Sequence, residues 1–460
     1  MYTEKGKAND VKITYIGGGS RGWAWSLMGD LASEHSLTGT VTLYDIDQVA
    51  AAKNVLIGNI VRDINQSGFS YVQCNDLQQS LVGADFVIIS ILPGTFDEMQ
   101  SDVHAPESYG IYQSVGDTTG PGGVLRALRT LPMYEKIASA IKMVAPQAWV
   151  INYTNPMGLC VRMLYETFPG IKAFGCCHEV FGAQDLLAHL AQMELGVEEI
   201  DREDISITVQ GLNHFTWLSQ ASYQGIDLFP IYEHAAERYA IEGLQLSKDK
   251  NWMNNHFASS NRVKFDLFRQ FGQIAAAGDR HLAEFCPGWY LKNPVNAFEW
   301  KYALTPVSWR KENLTRLLAQ SERIASRLEV PEITSSGEEG VRQMKALIGL
   351  GNFVTNINLP NTGQIPNIAI GTVVETNANL SQAGIDPVSA GKMDGGPLVL
   401  SQPHIYQQER LISSWRERSL KPAFQAFLVD PMVRIPRDEA KQLFDNMVFN
   451  TREYLKEYYA

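Results

Sequence analysis

The chain has 460 residues, of which 45% are hydrophobic and 19% charged, and its formal net charge is −11. This negative surplus argues against nucleic acid as a partner, and no apolar run reaches the roughly 18 residues that span a membrane. The length exceeds one ordinary hydrophobic core and predicts roughly two to three domains. Residues 1–10 are polar and lack the apolar core of a signal peptide, so we expect a cytoplasmic protein.

The first predicted strand runs directly into a glycine-rich turn. Residues 11–22 contain the pattern G-x-G-x-x-G at Gly17, Gly19 and Gly22. In such a motif the first glycine allows a tight turn, the second lets the backbone approach a pyrophosphate, and the third lets the next helix pack closely. Free N–H groups at the start of that helix, next to Ser20, would face the phosphates. The turn therefore predicts a dinucleotide site, and the alternative is a glycine turn that serves packing alone.

A second predicted strand, residues 40–44, ends in Asp45. A carboxylate at this position accepts hydrogen bonds from both ribose hydroxyls and repels a 2′-phosphate. The sequence therefore favours NAD over NADP.

Strand and helix patterns alternate as far as about residue 215, as a parallel sheet covered on both faces requires. The nearly continuous apolar run at 84–92 is typical of a buried parallel strand. We therefore predict an α/β fold. Its first part, residues 1–210, is a Rossmann-like doubly wound NAD-binding domain. Residues 211–460 form a mixed α+β domain for substrate and metal binding and for oligomerisation.

A second constellation pairs Cys177 and His178, after a predicted strand, with His214 further along the chain. A thiolate and an imidazole from separate loops can hold a divalent metal and leave positions open for substrate oxygens. The chain has five cysteines, an odd number that favours free thiols or metal ligands over a disulfide framework. The alternatives are that Cys177 is a small buried hydrophobe and that His214 is a hydrogen-bonded core residue.

Seven short motifs occur in order along nearly the whole chain. They are Ile-Gly-Gly-Gly-Ser at 16–20, Leu-Tyr-Asp-Ile-Asp at 43–47, Thr-Thr-Gly-Pro-Gly-Gly at 118–123, Asn-Tyr-Thr-Asn-Pro at 152–156, Gly-Cys-Cys-His at 175–178, Gly-Leu-Asn-His at 211–214 and Asn-Leu-Pro-Asn-Thr-Gly-Gln-Ile-Pro-Asn at 358–367. Together they resemble the signatures of glycoside hydrolase family 4. The resemblance implies a glycosidase that uses NAD and a divalent metal, usually Mn2+, and that assembles as a homodimer or homotetramer.

The resemblance also implies roles for particular residues. Cys177 and His214 match the metal ligands of the family, and His178 matches a position near the leaving group. Asn155 matches an asparagine that contacts the sugar. Asp117, which we also place among the substrate-binding residues, stands where many members carry glutamate.

The chemistry implied by the resemblance departs from two-carboxylate glycoside hydrolysis. NAD takes a hydride from C3 of the sugar while the metal polarises the oxygens at C2 and C3. The resulting ketone acidifies the C2 proton, a base removes it, and the glycosidic oxygen leaves from C1. Water then adds and the hydride returns, so the cofactor acts as a bound catalyst without net redox change.

The segment 276–285 is similar to the family branch that cleaves α-galacturonides. Asp279 is our prediction for the base at C2, and the alternative is a solvated loop pair with Arg280. No dense cationic cluster suited to a phosphate dianion is evident in the sequence. Arg280 and Arg262 instead suit a single negative group at C6, because one guanidinium pairs a carboxylate bidentately.

Other substrates and another class of protein stay open from the sequence. A sulfoquinovoside, an α-glucuronide or a neutral α-galactoside could be cleaved by the same mechanism. An NAD-dependent hydroxy-acid dehydrogenase would share the Rossmann half but would release NADH in proportion to substrate. A non-catalytic NAD-binding protein would cleave no glycoside.

Overall fold

The computed structural model describes residues 1–4, 6–246, 253, 255–332 and 336–459. Its strands are β1 (Tyr2–Glu4), β2 (Lys7–Ile16), β3 (Leu37–Tyr44), β4 (Phe69–Gln73), β5 (Phe86–Ile89), β6 (Trp149–Asn152), β7 (Lys172–Gly175), β8 (Ile205–Leu212), β9 (Phe215–Tyr223), β10 (Ile226–Asp227), β11 (Ile274–Ala275), β12 (Phe353–Pro360), β13 (Val373–Ser381) and β14 (Gly384–Pro387). Its α-helices are α1 (Trp23–Ser33), α2 (Gln48–Asn65), α3 (Leu77–Ser80), α4 (Phe96–His104), α5 (Gly120–Val144), α6 (Met157–Thr167), α7 (Glu179–Leu195), α8 (Phe229–Arg238), α9 (Arg262–Phe271), α10 (Asp279–Phe285), α11 (Pro294–Glu299), α12 (Val307–Ala325), α13 (Gly340–Leu347), α14 (Gly395–Glu417), α15 (Leu420–Leu428) and α16 (Arg437–Asn450).

Within the described residues the large sheet has ten strands, and six of them are parallel in the order β4, β3, β2, β5, β6, β7. This arrangement confirms the predicted doubly wound fold. The strand order reverses between β2 and β5, and ligands of such sheets bind beyond the carboxyl ends of the strands at this reversal. The glycine turn after β2 and the loops after β5, β6 and β7 therefore meet at one edge of the sheet.

The predicted apolar strand at 84–92 is present but shorter, because β5 spans only Phe86–Ile89. All four of its residues are buried, as expected for a strand covered by helices on both faces. The following residues leave the sheet and form the loop above its carboxyl edge.

Three late strands join the same sheet. β12 pairs antiparallel with β7, and β13 and β14 continue outward from it. Strands β8 to β11 form a separate antiparallel sheet, and the Val209 N–H joins it to β13 by donating to Asn377 Oδ1 at 2.8 Å. Residues on both sides of position 210 thus build the large sheet, and the predicted division into 1–210 and 211–460 stays a prediction.

Helix α5 is largely buried and carries two buried arginines, Arg126 and Arg129. Arg129 pairs with the buried Asp102 of α4 at 2.5 Å. This internal pair fixes the first half of α5, whose N-terminus lies beside the loop that contains Asp117. None of the helices in the described ranges is long and apolar enough to cross a membrane.

Candidate active site

The glycine turn packs closely against the ends of the neighbouring strands. Gly17 has a φ of +95°, and a Cβ on this residue would lie 1.9 Å from the carbonyl oxygen of Ser90, just after β5. The N–H groups of Gly17 and Gly18 both donate to the carbonyl of Tyr44 at 2.9 Å. Only glycine fits at position 17, since both the backbone conformation and the space exclude a side chain.

Asp45 holds the second half of the turn. Its Oδ2 accepts from the N–H of Gly19 at 2.8 Å, and its Oδ1 accepts from the N–H of Asp47 at 2.8 Å. The side chain of Asn54 donates to the carbonyl of Ser20 at 2.8 Å. The structure thus brings together Gly17, Gly19, Ser20 and Asp45, as the sequence predicts.

Gly22 does not make the close helix packing that the third glycine of its motif suggests. It precedes α1 as the capping residue, and a Cβ there would meet nothing within 4 Å. Close helix packing therefore does not require a glycine at this position.

Three potential metal ligands converge beyond the carboxyl edge of the sheet. Asp117, His214 and His281 each present one ligand atom, and these atoms lie within 4.8 Å of one another. A carboxylate with two imidazoles is a donor set that suits a divalent transition metal. His214 is a predicted ligand and Asp117 a predicted substrate contact, whereas His281 has neither role in the sequence analysis.

Hydrogen bonds orient two of these ligands. Thr118 Oγ1 lies 2.7 Å from Asp117 Oδ1 and 3.1 Å from His214 Nδ1, and the side chain of Asn155 donates to Asp117 Oδ2 at 3.2 Å. The rings of His214 and His281 stack with their centroids 4.1 Å apart. Asn155 thus lies at the cluster, where its predicted sugar contact requires it.

The electrostatic surroundings of His214 and Asp117 favour the protonation states that bind metals. Burial, reinforced by the neighbouring His281, lowers the pKa of His214 to about 3. Burial alone would raise the pKa of Asp117, but its charge interactions with His214 and Arg126 hold it well below the usual range. At neutral pH the cluster therefore offers a neutral imidazole and an ionised carboxylate, the forms that bind metals.

Glu179 contacts His281, and the sequence analysis did not identify Glu179 as a site residue. Its Oε1 lies 3.5 Å from His281 Nε2, and its Oε2 accepts from the N–H of Gly278 at 2.7 Å. The other ring nitrogen, His281 Nδ1, is buried and has no hydrogen-bond partner in the described parts of the chain. A carboxylate behind a histidine whose second nitrogen is unsatisfied is the usual arrangement around a metal-binding imidazole. The residues present therefore fit a metal.

Cys177 lies apart from the three converging atoms. Its thiol is buried, and burial together with the carboxylates of Glu375 and Glu179 raises its pKa well above the usual value. Asn213, the residue before His214, acts in the opposite direction on the pKa of this thiol. The structure thus places Cys177 next to the His214 loop, and its role as a ligand stays a prediction.

His178 lies on the side of the cluster that faces α1. Its Nδ1 is 2.8 Å from Glu338 Oε1, and its ring centroid is 5.9 Å from that of Trp23. Burial alone would lower the pKa of His178, but the hydrogen bond and the charge of Glu338 outweigh burial and raise it. The imidazole is about half exposed, so it can meet a ligand.

Asp279 and Arg262 form hydrogen bonds with the backbone of the protein itself. Asp279 is 0% exposed, and its carboxylate accepts from the N–H groups of Val263 and Lys264 at 3.3 and 3.2 Å, at the start of α9. Arg262 donates to the carbonyl of Ala240 at 3.1 Å and to the carbonyl of Glu299. Asp279 thus caps the start of α9, and Arg262 holds two loop carbonyls. The geometry therefore does not favour Asp279 as the base or Arg262 as the contact of the anionic group. The resemblance places the base in this segment, and Arg262 flanks it in the sequence. In the fold, however, the Asp279 carboxylate is engaged by the start of α9 and Arg262 by two backbone carbonyls.

The surroundings of Asp279 lead to a test of stability. We expect Asp279→Ala to lower the free energy of unfolding by about 3–5 kcal/mol, because the buried Lys264 loses its counter-charge. Urea denaturation measures this, with Asp63→Ala as the control, since the exposed pair of Asp63 with Arg62 contributes about 1 kcal/mol or less. An Asp279→Asn variant of parental stability that loses turnover would instead support a role as the base.

Arg280, in contrast, lies beside the cluster. It is 6% exposed, and its Nη2 donates to the Ser114 carbonyl at 3.2 Å and to Thr305 Oγ1 at 2.5 Å. Its guanidinium stacks on Phe257 with its central carbon 5.1 Å from the ring centroid. These hydrogen-bond partners are neutral, and the carboxylates of Glu179, Glu284 and Asp117 interact with the charge of Arg280.

Comparisons with known proteins give a consistent result. Residues 12–193 match the profile described as family 4 glycosyl hydrolase, and residues 209–433 match its C-terminal domain. The chain is 57% identical over 457 residues to an α-galacturonidase of Thermoanaerobacterium saccharolyticum, covering 99% of this chain and 98% of the relative. The crystal structure of lplD from Bacillus subtilis is 49% identical and superposes with a TM-score of 0.92, covering 96% of this chain and 100% of the other. A 6-phospho-α-glucosidase from gut microorganisms, solved with NAD and Mn2+, shares the fold at 19% identity with a TM-score of 0.80, covering 97% and 99%.

Proposed function

The chain belongs to glycosyl hydrolase family 4, and from this premise we propose that it cleaves α-galacturonides with NAD and a divalent metal. The observation that carries the proposal is the cluster of Asp117, His214 and His281 with the buried Arg280 at its side. The name of the 57% identical relative supports the choice of sugar.

We propose that NAD binds along the glycine turn, against Gly17, Gly19, Ser20, Gly22 and Asp45. The open space above Gly22 suits a phosphate group. For the metal, which we propose to be Mn2+, the ligands are Asp117, His214 and His281, with Cys177 kept as a predicted further ligand. When bound, NAD supplies reversible hydride transfer at C3 of the sugar, and the metal supplies Lewis-acid polarisation of the sugar oxygens.

The side chains of the protein divide the remaining tasks. Asn155 and Asp117 orient the sugar, and Glu179 holds the ring of His281 in place. His178, whose pKa Glu338 raises, carries a proton that it can donate to the leaving glycosidic oxygen. The negative charge at C6 needs a cationic partner beside the cluster, where the sequence predicts Arg280. Assembly as a homodimer or homotetramer and a cytoplasmic location stay predictions.

A substrate screen tests this function. Aryl α-galacturonide, α-glucuronide, α-galactoside, sulfoquinovoside and 6-phosphoglycosides are compared with NAD and Mn2+ under reducing conditions. We expect the α-galacturonide to have the highest kcat/KM, and no NADH to accumulate. Better hydrolysis of a neutral or phosphorylated glycoside would contradict the substrate, and NADH release in proportion to substrate would indicate a dehydrogenase.

The cofactor site has its own test. Asp45→Ala removes the carboxylate that holds Gly19, and we expect NAD affinity to fall about tenfold or more. The preference over NADP should also narrow, because the 2′-phosphate no longer meets a negative charge. Titration by fluorescence measures both, with Asp76→Ala as the control, since Asp76 caps α3 after the neighbouring strand β4. Unchanged NAD binding by Asp45→Ala would remove Asp45 from the site.

A further inference from the structure

Arg126 is a buried cation without a carboxylate partner. It lies on α5 and is 7% exposed. Its Nε donates to the carbonyl of Asn155 at 3.0 Å, and its two Nη atoms form no hydrogen bond or ion pair with any residue that the structure describes. Asn155 in turn holds Asp117. The free end of the guanidinium is thus fixed beside the cluster.

Arg310 approaches the same place from another helix. It lies in the first turn of α12, is half-buried, and likewise forms no ion pair within the described ranges. Its charge interacts with those of Asp117, Arg126 and Glu284, and that of Arg280 interacts with Arg310. Three arginines from three helices therefore interact through their charges with Asp117.

Four acidic groups interact with these arginines, and each is also engaged elsewhere. Asp102 is paired with Arg129, and Glu179 contacts His281. Asp117 is engaged by Thr118 and Asn155 at the metal cluster. Glu284 accepts from the N–H groups of Val115 and Gly116, and burial raises its pKa to about 7, so its charge is incomplete at neutral pH. Buried cations without a partner are costly, and a divalent metal would add to the excess. A bound anion would supply the missing counter-charge for these arginines.

We propose that Arg126 and Arg310 together bind the C6 carboxylate of the sugar and thereby determine specificity for a uronide. This inference rests on the proposed function and deepens it. Arg280 is less free, because its Nη2 is already used by Ser114 and Thr305, whereas both Nη atoms of Arg126 are available. One planar guanidinium pairs a carboxylate with two parallel hydrogen bonds, and the second supplies charge from the other side.

The test compares a charged and a neutral sugar in Arg126→Gln, Arg310→Gln and the double variant. We measure kcat/KM for aryl α-galacturonide and aryl α-galactoside, and the thermal stabilisation by free galacturonate and by galactose, all with NAD and Mn2+. The matched control is Arg316→Gln, on the same helix as Arg310 but at the surface. We expect each single variant to lose about 100-fold more on the galacturonide than on the galactoside. Stabilisation by galacturonate should disappear while stabilisation by galactose persists.

Arg126→Lys and Arg310→Lys keep the charge but lose the planar fork, so we expect intermediate losses and parental melting temperatures. Equal losses on the charged and neutral sugars, or galacturonate binding that survives in the double variant, would overturn the inference while leaving the proposed function intact. A parent enzyme that cleaves no α-galacturonide would contradict the proposed function itself, and the inference would fall with it. A parent that prefers a sulfonate over the carboxylate would overturn the uronide assignment alone.

Discussion

Replacing His281 by alanine is expected to lower kcat by about three orders of magnitude or more. The variant removes one of the three converging ligands, and Lewis-acid stabilisation of several kcal/mol corresponds to about a thousandfold in rate. Loss of Mn2+ affinity should accompany the loss of turnover, as measured by calorimetric titration. The same result is expected for His214→Ala and Asp117→Ala.

The exposed His234 provides the control, since His234→Ala leaves the cluster untouched and should behave as the parent. The thiols are compared in parallel. If Cys177 is a further ligand, Cys177→Ser loses metal-dependent turnover and Cys176→Ser does not, and the reverse would make Cys176 the ligand. Full activity of the parent in chelator without added metal would end the metal hypothesis.

Gly17→Ala is expected to weaken NAD binding by about 100-fold or more. An added Cβ would lie 1.9 Å from the Ser90 carbonyl oxygen, at a φ of +95° that alanine avoids. The turn must open to relieve this clash, and about 3 kcal/mol of strain corresponds to this loss of affinity.

Gly182→Ala, on α7, is the matched control, because a Cβ there meets nothing within 4 Å and alanine favours the helix. Both variants are compared by thermal unfolding and by NAD titration. A Gly17→Ala protein that binds NAD as tightly as Gly182→Ala would show that the turn does not hold the cofactor.

Local patterns were enough to predict the Rossmann half. The glycine turn, the acidic end of β3 and the buried β5 each depend on residues that are neighbours in the chain. The pairing of β12 with β7 joins residues far apart in sequence. No periodicity in a single segment reveals such a contact, so the sequence did not predict that late strands complete the large sheet.

In the candidate site, too, short motifs predict some residues and only the tertiary fold reveals the others. His214 and Asn155 belong to short motifs and could be predicted, whereas His281 reaches the cluster only when α10 packs beside β9. The sequence predicts Asp279 as the base because the resemblance places the base in the segment 278–285, yet the carboxylate accepts from the N–H groups of Val263 and Lys264 at the start of α9. Arg126 and Arg310 lie on different helices, and only the tertiary fold shows that the charges of both interact with Asp117.

The most direct test of the central claim is the isotope content of the product at C2. Elimination across C1 and C2 requires the C2 proton to leave before water adds, whereas direct displacement at C1 leaves it in place. Hydrolysis of aryl α-galacturonide is run in D2O with NAD and Mn2+, and the galacturonate is analysed by NMR and mass spectrometry before it has time to exchange. The account predicts deuterium at C2. Galacturonate that fully retains protium at C2 would contradict it.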